Sequence, residues 1–386
     1  MRHALFGRFA AVAAAVTLAG GTAAAQDELP STIAVTTYST TAAGFAQMVA
    51  VGSALQEEHG VNLRPIPGDN DISRQAPLKQ GQAQFSSTGF GVFYSQEGIF
   101  EFADRAQWGP QPVRLVMSNV SDGGIGFAID PALGIDHPSE MEGVRVARIV
   151  GAPALNLLVE AYLTFGGLTW DDVEVVEFPG FGAWLDGYVN DQVDAGIAVT
   201  DSGTSGKLAA SSRGVTWVLF PHDDAEGWAR LNDFAPWFEP KTVTSGNEVP
   251  EAGLPFAVYR YPNLVTYSDV DADTVYGFTK AMVELYPEYS DEAPGAYGWA
   301  VDRQGFEYVM PFHEGAIRYW KEIGEWTDAA QARQEELLER QRVLQQTWEE
   351  VVARDIADDA AFVEAWAEAR HAALTEAGFN PYFESW

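Results

Sequence analysis

Leu63-Arg64-Pro65-Ile66-Pro67-Gly68 and Val175-Val176-Glu177-Phe178-Pro179-Gly180 share one pattern, an extended and largely apolar run closed by a Pro-Gly pair. Each is followed by a helical stretch, 72–80 in the first case and 181–189 in the second, and then by Gly81-Gln82-Ala83 or Asp191-Gln192-Val193. Working outward, a β-branched strand at 32–36 and a helix at 42–58, with Phe45, Met48, Val49, Gly52 and Leu55 at helical spacing, precede the first run. The second run is preceded in the same order by a strand at 144–150 and a helix at 154–165, and the blocks end in strands at 83–87 and 195–199. Two successive β-α-β-α-β blocks predict an α/β protein with two similar lobes of parallel crossover units. Ligands of such sheets sit outside the carboxyl ends of the strands, so the cleft between the lobes is the expected site.

Beyond the second block the pattern predicts a strand at 215–220, a stretch carrying Trp228 and Trp237, an extended segment at 254–265, and a helix at 273–285 with Val275, Phe278, Met282 and Leu285 on one face. The chain is expected to cross between lobes near 122–130 and again near 247–254. That gives a first lobe from 26–122, a second from 123–250, a return to the first over 251–326, and a helical extension over 327–386. In the extension Leu337, Leu344, Trp348 and Val351 repeat at helical spacing, Asp358 is placed to cap a last helix, and Gly378 to end it. Its role is either packing on the body or contact with a partner.

With 23 basic residues against 55 acidic ones, the net charge of −32 repels phosphate backbones and anionic lipid heads, which argues against nucleic acid and membrane surfaces as partners. There is no cysteine, so disulfides, thiol nucleophiles and Cys-ligated zinc are all excluded. Arg2 and Arg8, the apolar run 9–18 and Ala23-Ala24-Ala25 before Gln26 read as a secretory signal peptide over 1–25, too short to span a bilayer. A soluble, exported, periplasmic protein is expected.

Gly203-Thr204-Ser205-Gly206 is not a nucleophile elbow, and no S-x-x-K, Walker A or H-E-x-x-H pattern occurs. Asp269-Val270-Asp271-Ala272-Asp273 resembles the opening of a calcium loop, but Thr274 replaces the required Gly and Lys280 the bidentate Glu, so helix capping by Asp271 or Asp273 is the better reading. The histidines are scattered. No catalytic residue, metal or cofactor is expected.

Binding chemistry is left to the loops that open helices. Tyr38-Ser39-Thr40-Thr41 lies between the first strand and first helix, where hydroxyls and free N–H groups converge at the positive end of the helix dipole; plain N-capping uses the same residues. Arg74, after Asp69 and Asn70, offers a guanidinium fork to a carboxylate, or offsets Asp69 and Asp71 at the surface. Thr88-Gly89 follows the third strand. In the second block Gly151 opens the helix containing Asn156, and Thr200-Asp201-Ser202 follows the last strand; ordinary turns account for both as well.

These stretches resemble the TAXI-type solute-binding proteins of tripartite ATP-independent periplasmic (TRAP) transporters over about residues 30 to 325. Thr36 to Gly44 resembles that family's hydroxyl-rich loop, and Val193-Asp194-Ala195 its "iDA" strand. Val275-Tyr276-Gly277-Phe278-Thr279-Lys280-Ala281-Met282-Val283-Glu284 resembles its "vYxxTKAlfE" helix. His313-Glu314-Gly315-Ala316-Ile317-Arg318-Tyr319-Trp320-Lys321-Glu322-Ile323-Gly324 resembles its "HxGAxRYYxExG" signature. Two positions depart from the pattern: Arg74 stands where an Asn is usual, and Gly151-Ala152-Pro153-Ala154 replaces a "GSGT" helix start. The resemblance implies a two-lobe periplasmic solute-binding fold with a hinge, a small organic-anion ligand (keto acid, dicarboxylate or acidic amino acid), and delivery to TRAP permease subunits in the membrane. An exported enzyme acting on a small organic acid, or a ligand-sensing input protein for a membrane receptor, remain the rival readings.

Overall fold

The computed structural model describes Met1, residues 29–235, residues 237–383 and Trp386. Apart from Met1, the expected signal peptide lies outside the described residues.

The first block folds as β1 (Thr32–Thr37), α1 (Ala43–His59), β2 (Asn62–Pro67), α2 (Asp71–Lys79), β3 (Phe85–Thr88), a short α3 (Gly91–Glu97) and β4 (Val113–Ser118). The chain then crosses to β5 (Ile125–Ile129) and builds β6 (Arg145–Ile149), α4 (Pro153–Phe165), β7 (Glu174–Phe178), α5 (Phe181–Val189), β8 (Ala195–Val199), α6 (Gly203–Ala209), β9 (Thr216–Trp217) and α7 (Ala225–Phe234). A ribbon of β10 (Glu239–Val243) and β11 (Leu254–Val258) leads back to β12 (Asn263–Tyr267), α8 (Ala272–Glu284), α9 (Tyr286–Tyr289) and α10 (Glu314–Glu322). Two long helices, α11 (Asp328–Val352) and α12 (Asp359–Glu376), form the extension.

Two five-stranded sheets result, ordered β2-β1-β3-β12-β4 and β7-β6-β8-β5-β9. In each, three strands run parallel and the fourth, entering from the other lobe, pairs antiparallel with the third: β12 on β3, and β5 on β8. The lobes are therefore topological duplicates, and the two-lobe α/β architecture expected from the repeat is the one present. The sheets are mixed rather than all-parallel, because each lobe takes its fourth strand from a crossing segment and not from a crossover helix.

Three expected elements differ. Only Thr216 and Trp217 of the 215–220 strand join the sheet; Val218, Leu219 and Phe220 donate to Phe127, Asp136 and Pro255, three unrelated carbonyls that form no ladder. The 254–265 segment is two strands in different sheets, divided at the cis Tyr261–Pro262 peptide. The return to the first lobe runs through 259–262, later than the expected 247–254, since β11 still pairs with β10 and accepts from Phe220.

The inner parallel strands β1, β3 and β8 are buried on both faces, whereas the edge strands β2 and β7 are largely exposed. Phe85 packs on Phe278 with ring centroids 4.5 Å apart in the first lobe, and in the second Trp184 lies against Gly196, where a Cβ would stand 2.8 Å from the indole. The crossing segments bond to each other: Tyr261 donates to the Asn119 carbonyl and Asn119 to that of Pro262.

The extension packs on the first lobe around a buried charge. Glu97 at the end of α3 accepts from Arg340 Nε at 2.8 Å and Nη2 at 2.7 Å, and from Arg370 Nη2. Burial raises the Glu97 pKa, but Arg340 and Arg370 outweigh it and hold the carboxyl at about 2. Trp366 Nε1 donates to the Gly98 carbonyl at 2.7 Å, and Asp358 caps α12 as expected.

A cleft lined by the carboxyl ends of both sheets

The loops after β1, β2 and β3 and those after β6, β7 and β8 line one cleft of about 470 Å³. This is where the strand order of an α/β sheet places ligands. Of the expected residues, Tyr38, Ser39, Thr40, Thr41, Asp69, Asn70, Arg74, Gly89 and Ser202 line it.

The N-terminus of α1 decides between the two readings of the hydroxyl loop. Its N-cap is Ala42, with no side-chain cap, so Ser39, Thr40 and Thr41 are not spent on capping. The same holds for α4, with N-cap Ala152, and α5, with N-cap Gly180. Three helices thus begin at the cleft without a side-chain cap from their own N-cap residue, each at the positive end of its dipole; of these, α4 has one start N–H, that of Ala154, taken by the Asp71 carboxylate. By contrast α2 is closed by an Asn70–Ser73 capping box and α6 by Ser202.

Arg74 is buried, not a surface residue. Nη2 donates to Asp71 Oδ1 at 2.5 Å, Nη1 to the Gly68 carbonyl at 3.1 Å and Nε to Thr88 Oγ1 at 3.2 Å, while the guanidinium lies 4.3 Å over the Tyr38 ring. Those bonds use three of its five N–H groups. Burial pushes the Tyr38 phenol up to about 12 against the pull of Arg74, so it stays a neutral donor. Tyr38 fits here because residue 89 is Gly: a Cβ there would lie 2.5 Å from the phenol oxygen.

The remaining expected residues serve the frame. Thr88 sits behind Arg74 as its acceptor. Gly151, at φ 71°, faces Asn70 across the cleft, its would-be Cβ 3.3 Å from Nδ2. Asn156 folds back on β6, accepting from Ile149 N–H at 2.9 Å and donating to the Ile149 carbonyl at 2.8 Å. Thr200 Oγ1 accepts from Gly124 N–H and donates to the Ser245 carbonyl, and Asp201 is turned toward Gly123 and Gly295, where burial raises its carboxyl pKa.

Sequence reading missed Phe90, Ile125, Leu155, Phe181, Tyr259 and Tyr261, which give the cleft its apolar and aromatic surface. Phe181 was within reach, since Pro179-Gly180 is the repeat partner of Pro67-Gly68. The tyrosines lie on a crossing segment that carries no local motif. Asp71 was missed as well. Its Oδ2 accepts from the Ala154 N–H, at the start of α4 in the other lobe, at 3.3 Å.

Among the described residues, no helix is long and apolar enough to cross a membrane and no group of three or more metal-ligating side chains is clustered. A hydroxyl loop, three helix starts and Arg74, paired with Asp71, surround an apolar floor.

Comparison with solved structures returns the periplasmic aliphatic sulphonate binding protein SsuA of Escherichia coli, at 15% identity and a TM-score of 0.37, over 49% of this chain and 60% of that one. An ancestral arginine-binding protein bound to arginine is similar at 13% identity and 0.42, over 70% and 99%. The alkanesulfonate-binding protein SsuA of Xanthomonas axonopodis pv. citri, bound to MOPS, is similar at 12% identity and 0.40, over 82% and 95%. No curated protein matches the sequence. The profile of the NMT1-like family matches residues 116–324, which span the crossing, the whole second lobe and the return as far as α10. That stretch is more than half of the chain, and the protein belongs to the NMT1-like family.

Proposed function

We propose that this protein is an exported, periplasmic solute-binding protein of the TAXI type, with 26–122 in one lobe, a second lobe from which the chain returns to the first through 259–262, and 327–386 as an extension. It captures a small organic anion, a keto acid, dicarboxylate or acidic amino acid, and delivers it unaltered to TRAP permease subunits. It is not an enzyme. The observation that supports the reading is the meeting of three helix starts whose own N-cap residues give no side-chain cap, α1, α4 and α5, with Arg74 at one cleft between duplicated lobes.

A chain of net charge −32 repels anions at long range, so capture rests on short-range groups. In a cleft shielded from water, dipoles and the two remaining Arg74 N–H groups act at a lower effective dielectric and are correspondingly stronger. Ser39, Thr40 and Thr41 supply adaptable hydroxyls, and Phe181 and Leu155 receive the ligand's carbon skeleton. Closure about the crossing segments at 119–124 and 259–262 shuts the cleft.

Thermal-shift screening of the full chain against keto acids, dicarboxylates and acidic amino acids tests the reading, because a ligand that binds only the native form raises Tm. A member of these classes raises Tm with concentration and is recovered chemically unchanged. No shift from any of them, or conversion of the one that binds, overturns it.

A further inference from the structure

A second cavity, of about 200 Å³, is walled by the crossing segments and the loop carrying Arg303 and Tyr308. It adjoins the cleft through Ile125, Val199, Tyr259 and Tyr261, which line both. Its lining holds three cations, Lys241, Arg260 and Arg303, against one carboxylate, Glu239. In a chain with more than twice as many acidic as basic residues this local excess runs against the overall charge.

The three cations are matched to different degrees. Arg303 is paired, donating to Asp122 Oδ1 at 2.8 Å and to the Val120 carbonyl at 2.9 Å. Lys241 Nζ donates only to neutral acceptors, the carbonyls of Ser121 and of Gly123, while Asp122 and Asp201 act on it from outside the lining. Burial lowers the Lys241 pKa, as expected of an ammonium short of close counter-charge. Arg260 makes no ion pair with a described carboxylate; its guanidinium lies 5.4 Å over the Tyr308 ring and is held beside Gly305, which has no Cβ to displace it. Both side chains are half-buried, and a cation partly withdrawn from water gains from a counter-charge, so a cavity edged by a guanidinium without a described carboxylate partner and by a carbonyl-bound ammonium suits an anion.

From this geometry we propose that the cavity is a second anion site, taking a small dicarboxylate with one carboxylate on Arg260 and the other on Lys241, its methylene carbons against Trp237 and Tyr259. The site is separate from the transport cleft and does not rest on the proposed transport role.

Malonate titrated calorimetrically into the full-length Gly182→Phe protein, at constant ionic strength, tests it. Residue 182 lines the cleft in open space, so the phenylalanine blocks the cleft and leaves the second cavity intact. One saturable site is expected, weakened roughly ten- to hundredfold by adding Arg260→Gln, the loss of a charged hydrogen bond. Arg260 has no protein acceptor among the described residues, so this variant folds; Lys241→Met, checked for folding by its Tm, weakens binding to a similar degree. Absence of saturable binding in Gly182→Phe overturns the proposal, as does binding that Arg260→Gln leaves unchanged. Malonate binding that appears only with residue 182 as glycine places the anion in the cleft and overturns it too.

Discussion

The Asp71 carboxylate of the first lobe accepts a hydrogen bond, 3.3 Å long, from the backbone N–H of Ala154 at the start of α4 in the second. Its other oxygen holds Arg74, so one side chain both neutralises the cleft's cation and draws the lobes together across the helix start. A carboxylate built into the protein thus already meets the Arg74 guanidinium and the start of α4.

Removing one member of a buried ion pair costs far more than removing both. Asp71→Ala is therefore expected to lower the unfolding free energy by about 3–5 kcal/mol in urea titration, because Arg74 is left charged and unpaired. Asp71→Ala combined with Arg74→Met should recover at least half of that loss. Additive losses would mean that the two side chains are not energetically coupled.

Gly89 and Tyr38 form a second coupled pair, through the 2.5 Å approach that a Cβ would make to the phenol oxygen. Gly89→Ala is expected to cost about 1–3 kcal/mol by overpacking, and to weaken ligand binding by shifting the ring that supports Arg74. Tyr38→Phe in the same protein removes the clashing oxygen and should restore most of the stability. Equal melting temperatures for Gly89→Ala and the parent would show that the loop simply gives way.

The extension is bound by Glu97, and its pH dependence has a definite sign. The folded carboxyl titrates at about 2, below the ordinary value of about 4.3, so its stabilisation is complete above that ordinary value and is lost as pH falls toward 2. The amount is on the order of 3 kcal/mol, from 1.36 kcal/mol for each pKa unit. Urea midpoints for the parent and Glu97→Gln, measured between pH 6 and pH 3, should converge as pH falls. A gap that stays constant would exclude the carboxylate as its source.

How much of this was legible follows from how local each signal is. The paired Pro-Gly closures at 67–68 and 179–180 announced both blocks, because turn chemistry and hydrophobic period are written in adjacent residues. The role of β12 was not, since its place between β3 and β4 depends on partners about 145 and 175 residues away. The hydroxyl loop at Ser39 to Thr41 was readable as a helix start, but only the structure shows Ala42 at the N-cap and the hydroxyls left over. Thr200 and Asp201 had the right position after a strand, yet their side chains turn to Gly124, Ser245 and Gly123, a choice of rotamer and neighbour that strand order does not encode. Arg74 was found by its chemistry, while the partner that occupies its fork, three residues earlier, was read only as a surface counter-charge.

The most direct measurement is calorimetric titration of an organic anion selected by thermal shift into the parent and into Gly182→Phe. The expected result is 1:1 binding to the parent that disappears in Gly182→Phe while its melting temperature stays near the parent's, because a Cβ at 182 meets open space at the cleft wall. Binding of that anion with undiminished affinity to Gly182→Phe would contradict the assignment of the interlobe cleft as the solute site.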